Sequence, residues 1–154
     1  MKSEQVSLSY VNNLVYELEK AFWDERGRGA RFRMTTVGRE YFRERCLPLL
    51  VAPEADELFK TIGDVLREDG IVQQVTRSSE GQLIRIRVEG CIHRAVEAKM
   101  TDRGIEPFTC LPANLLALAV EEKLDRPMEL AQIKLEEGAC QLLMVLFDRR
   151  PSLD

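Results

Sequence analysis

The chain is short of most of what catalysis and membrane insertion require. It holds a single histidine, His93, in 154 residues. There is no Walker loop, no G-x-G-x-x-G, no H-E-x-x-H, no H-x-E with P-C-x-x-C and no G-x-S-x-G, so no standard nucleotide-, zinc-hydrolase or nucleophile-elbow signature is present. No obvious acid–base pair is available either, and Glu136 and Glu137 suit a solvated turn as well as a general base. No apolar run approaches the length of a bilayer span, and Met-Lys-Ser-Glu-Gln lacks the apolar stretch of a signal peptide. Repeats and low-complexity segments are also missing. These absences predict a cytoplasmic, non-catalytic protein that does not insert into membranes.

What is there fits one ordinary folded domain. Apolar residues make up 45% and charged residues 31%, a balance that excludes a disordered chain. Four cysteines in a cytoplasmic setting stay reduced and become available to a metal or to chemistry. The net charge of −4 argues against nucleic-acid binding over the whole surface. A local basic cluster nevertheless runs from Arg26 to Arg45, with Arg26, Arg28, Arg31, Arg33, Arg39 and Arg43 as a patch for an anionic partner. A solvated cationic helix face and loop is the plainer reading of the same residues.

Periodicity divides the chain into elements. Leu8, Val11, Leu14, Leu18 and Phe22 recur at helical spacing, predicting an amphipathic helix over about residues 7–25 that ends at Gly27 and Gly29. A second helix, capped by Thr35 or Thr36, carries Val37, Tyr41, Phe42 and Cys46, the cysteine as a core residue, and closes at Pro48. Pro53 opens a third with Leu58, Ile62, Val65 and Leu66 inside and Gly70 at its end. The period then changes: residues 71–77 and 83–88 form a hairpin about a turn at 78–81. Residues 92–109 read as irregular or partly helical. Residues 111–124 are apolar on nearly every side over their first ten positions and predict a buried central helix. Asp125-Arg126-Pro127 breaks it, and residues 128–135 and 140–147 form a second hairpin.

The expected architecture is therefore α+β, with N-terminal helices and two hairpins making an antiparallel four-stranded sheet packed on a buried helix. Residues 1–52 are an N-terminal helical segment, part of the same domain or a dimerisation element; 53–148 are the main domain and 149–154 a tail.

The order of elements also suggests where the cysteines go. If the second and third strands run the same way, Cys91 beyond the second strand, Cys110 before the central helix and Cys140 just after the last hairpin turn all fall at one edge of the sheet, with His93 beside Cys91. Three thiolates and one imidazole are a common tetrahedral zinc set, and a thiolate at a helix N-terminus, as at Cys110, is favoured by the dipole. A [4Fe–4S] cluster could use the same three cysteines. Plain core packing is the competing reading, since free cysteine is among the most buried residue types.

The run LREDGIVQQV … LIRIRVEGCIH … PFTCLPANLLALAV … LEEGACQLLMVLF, from about Leu58 to Asp148, resembles the 4-vinyl-reductase or hydrocarbon-binding sensor domain. It is similar as well to that domain's relatives, the methanogen output domain and the C-terminal half of the iron–sulfur repressor of the SUF operon. In that pattern a hairpin ends in a cysteine, a second cysteine opens a helix and a Gly-x-Cys lies in the last hairpin; Cys91, Cys110 and Cys140 occupy these places. The resemblance implies a fold like that of the transport-particle and nitric-oxide-sensing domains, a homodimer, a bound metal and a small apolar ligand, in a protein that signals rather than catalyses. It also raises the alternative of an iron–sulfur-dependent DNA-binding regulator. RFRMTTVGREYF resembles the end of a wing entering its next helix, but about fifty residues are too few for a complete winged helix. His93 stands where some relatives have other residues.

Overall fold

The computed structural model describes residues 5–30, 37–51 and 53–148. These residues make an α+β fold of five α-helices and one four-stranded antiparallel sheet. In chain order the elements are α1 (Leu8–Arg26), the single turn α2 (Arg39–Tyr41), α3 (Ala55–Glu68), β1 (Gln74–Glu80), β2 (Leu83–Glu89), α4 (Arg94–Asp102), α5 (Leu111–Leu124), β3 (Met128–Glu136) and β4 (Ala139–Leu146).

The sheet order is β1-β2-β4-β3. Both β2 and β3 run antiparallel to β4, so they are co-directional, the condition on which convergence of the cysteines depended. Ile84, Ile86 and Val88 of β2, Leu142 and Met144 of β4 and Ile133 of β3 alternate onto the inner face. They share one core with Leu115, Leu116, Ala119 and Val120 of α5. Having no solvent side to spare, α5 is apolar almost all round. It carries Pro112 in its first turn, where no helical N–H is lost, and stops at Asp125, whose backbone is left-handed at φ 53°.

The amphipathic α3 buries Leu58, Phe59, Ile62, Val65 and Leu66. A Schellman end closes it: Gly70, at φ 74°, donates to the Arg67 carbonyl and Ile71 to that of Leu66. Between α2 and α3 the chain does not hold the regular helix expected there. After Arg39–Tyr41 it widens to a π-turn over Phe42–Cys46 and tightens to 3₁₀ at Leu47–Leu49. Phe42 and Cys46 still reach the core, as the pattern requires. Tyr41 and Arg45 project instead to Asp69 at the end of α3, whose carboxylate accepts the Tyr41 hydroxyl at 2.5 Å and the Arg45 guanidinium at 2.8 and 2.9 Å. The expected cap at Thr35 or Thr36, and the tail from residue 149, lie outside the described residues.

The partly helical stretch expected over 92–109 holds one helix, α4, at residues 94–102, and the first hairpin turn is corrected: β1 runs on to Glu80, so that the turn is at Gly81 and Gln82. More consequential is the facing of α1. Its inward residues are Asn12 and Glu19, whereas Tyr10, Leu14 and Leu18 are 63%, 46% and 63% exposed. Val11, Val15, Tyr16, Phe22 and Trp23 are half-buried, so the helix packs on a mixed polar and apolar side, and only part of its apolar stripe, Leu8, Leu14 and Leu18 with Tyr10, is left exposed.

Among the described residues, no helix is long and apolar enough to cross a membrane.

Candidate metal centre

Three cysteines lie within electrostatic range of one another, at the exit of β2, just after the β3–β4 turn and at the start of α5. Gly90, at φ 63°, turns the chain out of β2 and donates to the Gly138 carbonyl at 3.2 Å, tying the two hairpins at this edge. Its position is closely packed: a Cβ there would stand 2.5 Å from the Gln73 side chain. Cys91 follows at once. Cys140 faces the core from β4, opposite Val88 of β2 and Leu135 of β3. Cys110 is the N-cap residue of α5 and is buried.

A fourth group, absent from the sequence-based set, completes the cluster. Glu97 of α4 is 6% exposed and accepts the Cys140 thiol, Sγ to Oε2 3.1 Å. A second buried acid, Glu19 of α1, lies near enough to feel its charge.

Burial dominates the protonation of every member. It raises the Glu97 carboxyl to about 7, against the Cys140 thiol and Arg94, which favour the anion. Burial, with repulsion from Glu97, raises Glu19 to about 7. The Cys91 thiol is pushed to about 11 by burial and by Glu97, while the backbone N–H groups of His93 and Arg94 pull the other way. Cys110 is driven well up by burial, then by Glu97 and the other two thiols; the Ala113 N–H at the start of α5 opposes this without closing a full capping bond. Cys140 is likewise raised, first by burial and then by Glu97 and Cys91. The three thiols therefore feel one another and one carboxylate, in a buried place short of positive charge among the described residues. The neighbouring cation, Arg94, is engaged with the Glu136 and Ala139 carbonyls.

His93 is used differently. Its Nδ1 is 3.0 Å from Asn12 Oδ1, and Asn12 Nδ2 donates to the Ile92 carbonyl at 2.7 Å. With the Asn12 amide so oriented, Nδ1 carries the proton and the Nε2 lone pair is the ring's acceptor. Burial lowers the imidazole's pKa and keeps it neutral. The ring bonds α1 to the start of α4 rather than bonding to the cysteines.

Among the described residues no three His, Cys, Asp or Glu side chains stand closed around a metal-sized space. The donor chemistry nonetheless suits a soft or borderline dication. Three sulfurs and the Glu97 carboxyl lie within electrostatic range of one another, two of the sulfurs lie against backbone N–H groups that favour thiolate, and burial raises both acids to about 7. Cys46 takes no part. It is fully buried in the core, its thiol raised to about 11 by burial.

The remaining sequence-predicted residues are dispersed. Arg26, Arg28, Arg39 and Arg43 are exposed, and Arg43 is 3.6 Å from Glu40; Arg31 and Arg33 lie outside the described residues. An open cleft of about 420 Å³ lies between the end of α1, the 104–108 segment and β3. Trp23 and Phe108 stack in its wall with centroids 5.6 Å apart, Leu130 and Ile133 line it from β3, and Arg28 stands at it. Phe108 is two residues before Cys110, and Trp23 one helical turn beyond Glu19.

No family model matches the sequence, and no curated protein is similar to it.

Glu97 escapes sequence reading because its segment reads only as irregular or partly helical, with no face assigned; Glu19 lies in the expected first helix, off its apolar stripe. Once 94–102 is a helix, Val96 and Met100 define its inward face and Glu97 falls on that face, a carboxylate where an apolar residue would be expected.

Proposed function

We propose that the protein is a non-catalytic sensor or adaptor module that binds one zinc ion through Cys91, Cys110 and Cys140, with Glu97 as fourth ligand in place of the expected His93. The observation that carries this is the buried Glu97–Cys140 pair in electrostatic range of Cys91 and Cys110: four potential anions from four separate segments, against the single nearby cation Arg94, whose guanidinium is bonded to the Glu136 and Ala139 carbonyls. Burial of such a group is costly unless a positive charge joins it. His93 then acts from behind, its Asn12 bond fixing α1 against the helix that supplies Glu97.

Such a centre ties the β2 exit, α4, α5 and the β3–β4 hairpin to one point. The link from α4 through His93 and Asn12 to α1 gives it an outlet. The apolar stripe Tyr10, Leu14, Leu18 on α1 supports a homodimer in which two copies of this helix cover each other. The Trp23–Phe108 cleft is the place for a small apolar or aromatic ligand, since its two walls lead to α1 and to Cys110.

Cobalt(II) titration of metal-free protein tests the reading. Binding of one equivalent, with sulfur-to-cobalt charge-transfer absorption that Glu97→Gln weakens and Cys110→Ser largely removes, supports it. Binding unaffected by either change refutes the ligand set. Iron with sulfide in anaerobically purified protein would instead favour the iron–sulfur regulator, together with salt-dependent duplex binding by the exposed arginines.

A further inference from the structure

The face of the sheet away from α5 is an ordered grid, read from the strand register. Its four rows, from β1 to β3, are Gln74, Glu89, Ala139, Glu136; Thr76, Arg87, Gln141, Lys134; Ser78, Arg85, Leu143, Gln132; and Glu80, Leu83, Val145, Glu129. The acids occupy the two outer rows and the cations the two inner ones. Arg87 is already neutralised, 3.1 Å from Glu136 and 3.3 Å from Glu89. Arg85 and Lys134 are not: among the described residues neither has an ion-pair or hydrogen-bond partner. They stand on β2 and β3, diagonally across β4, and a hollow of about 250 Å³ opens between them. Gln132 and Gln141 supply amides at the same hollow, Leu143 lies in it, and Glu136, held by Arg87, forms the rim.

We propose that this hollow is a binding site for a phosphate-bearing small molecule. The charge pattern is specific to an anion, because two uncompensated cations flank one depression while the nearest acid is committed to Arg87. The donor set is specific to a tetrahedral oxyanion. An arginine fork from one side, an ammonium from the other and two side-chain amides approach from several directions, which suits three terminal oxygens better than the two of a carboxylate. The space exceeds a bare phosphate and leaves room for part of an organic group. The site is on the opposite face of the sheet from the cysteine cluster and does not depend on a metal there.

The test is titration of ¹⁵N-labelled full chain with inorganic phosphate, ionic strength held constant with sodium chloride. Saturable amide shifts confined to Gln132, Gln141, Leu143 and their neighbours are expected. Arg85→Gln and Lys134→Gln should each weaken binding about tenfold, the scale of one charge-assisted hydrogen bond, and together abolish it, whereas Lys123→Gln on α5 should change nothing. Both substituted side chains are exposed, so unchanged spectra elsewhere will establish that the variants are folded. Linear shifts spread over the surface, shifts that survive the double substitution, or equal affinity for acetate would each overturn the proposal.

Discussion

At the scale of single residues, the chemistry of the cluster is set by burial. Glu19 illustrates the sign. Its folded-state pKa is about 7 against an ordinary 4.5, so between these values the folded chain keeps a proton that the unfolded chain has released. Its contribution to the stability of metal-free protein is therefore intact below about pH 4.5 and is lost as pH rises through about 7. Glu19→Gln should stabilise the metal-free protein at pH 8 by up to about 3 kcal/mol and have little effect near pH 4.5. Urea unfolding at the two pH values checks this, and a glutamine variant less stable at pH 8 would mean that Glu19 makes a favourable charged contact. A residue in the core gives a calibration: Leu115, wholly buried, should cost about 2–5 kcal/mol on truncation to alanine by the same measurement.

Residue-scale reading of the sequence reached the three cysteines because thiols are rare and their places at element ends are conspicuous. It named His93 too, whose Nδ1 the structure pairs with Asn12 while leaving Nε2 as an acceptor; giving the fourth ligand's part to Glu97 instead belongs to the proposal. Glu97 was not legible, because a glutamate on a surface-like stretch is common and only the orientation of α4 makes it a buried one.

Among the elements, those with unambiguous periods were readable directly. The bounds of α5 agree with expectation at both ends, since a proline opens it and an Asp-Arg-Pro follows it, and both hairpins lie where alternation and Gly-containing turns put them. The segment 39–49 was harder: its apolar spacing is helical, and Tyr41 and Arg45 share one face toward Asp69 while Phe42 and Cys46 share another toward the core. Yet the chain widens to a π-turn over Phe42–Cys46 and tightens to 3₁₀ at Leu47–Leu49, which the spacing does not reveal. Gly38 sets the entry at φ 103°, and a Cβ there would meet Leu111 Cδ1 at 2.5 Å. Gly38→Ala should therefore destabilise the protein by about 1–3 kcal/mol, read as a lowered denaturant midpoint; unchanged stability would show that the turn relaxes freely. For α1 the period was legible and the facing was not. Hydrophobic periodicity identifies an apolar stripe without saying whether the same chain or another covers it. If a second copy does so, Leu14→Asp with Leu18→Asp should yield a folded monomer by sedimentation equilibrium, since both side chains are exposed in the single chain. A parent protein that is monomeric throughout the accessible concentration range would remove the homodimer from the account.

For the whole molecule, one α+β core supports two faces of different character. On the inner side, the sheet and α5 bring together segments distant in sequence, and co-directional β2 and β3 put three cysteines at one edge. That arrangement was legible as a condition, because the 92–109 connection allows it, and only the pairing of β2 with β4 fulfils it. The outer face, with its cations between rows of acids, was invisible before the register was known: Arg85 and Lys134 belong to different hairpins, far apart in sequence. If zinc joins the buried acids and thiols, removing it should lower stability in proportion to the binding free energy it contributed. Chelation should then depress the thermal midpoint of the parent but not of Cys110→Ser.

The most direct test of the metal centre is elemental analysis, with a visible absorption spectrum, of protein purified without oxygen. The account predicts about one zinc per chain, no colour, and loss of the zinc in Cys110→Ser and Glu97→Gln. Protein that contains no metal, and takes up none when supplied with zinc, would contradict it and leave Cys91, Cys110 and Cys140 as residues of the core.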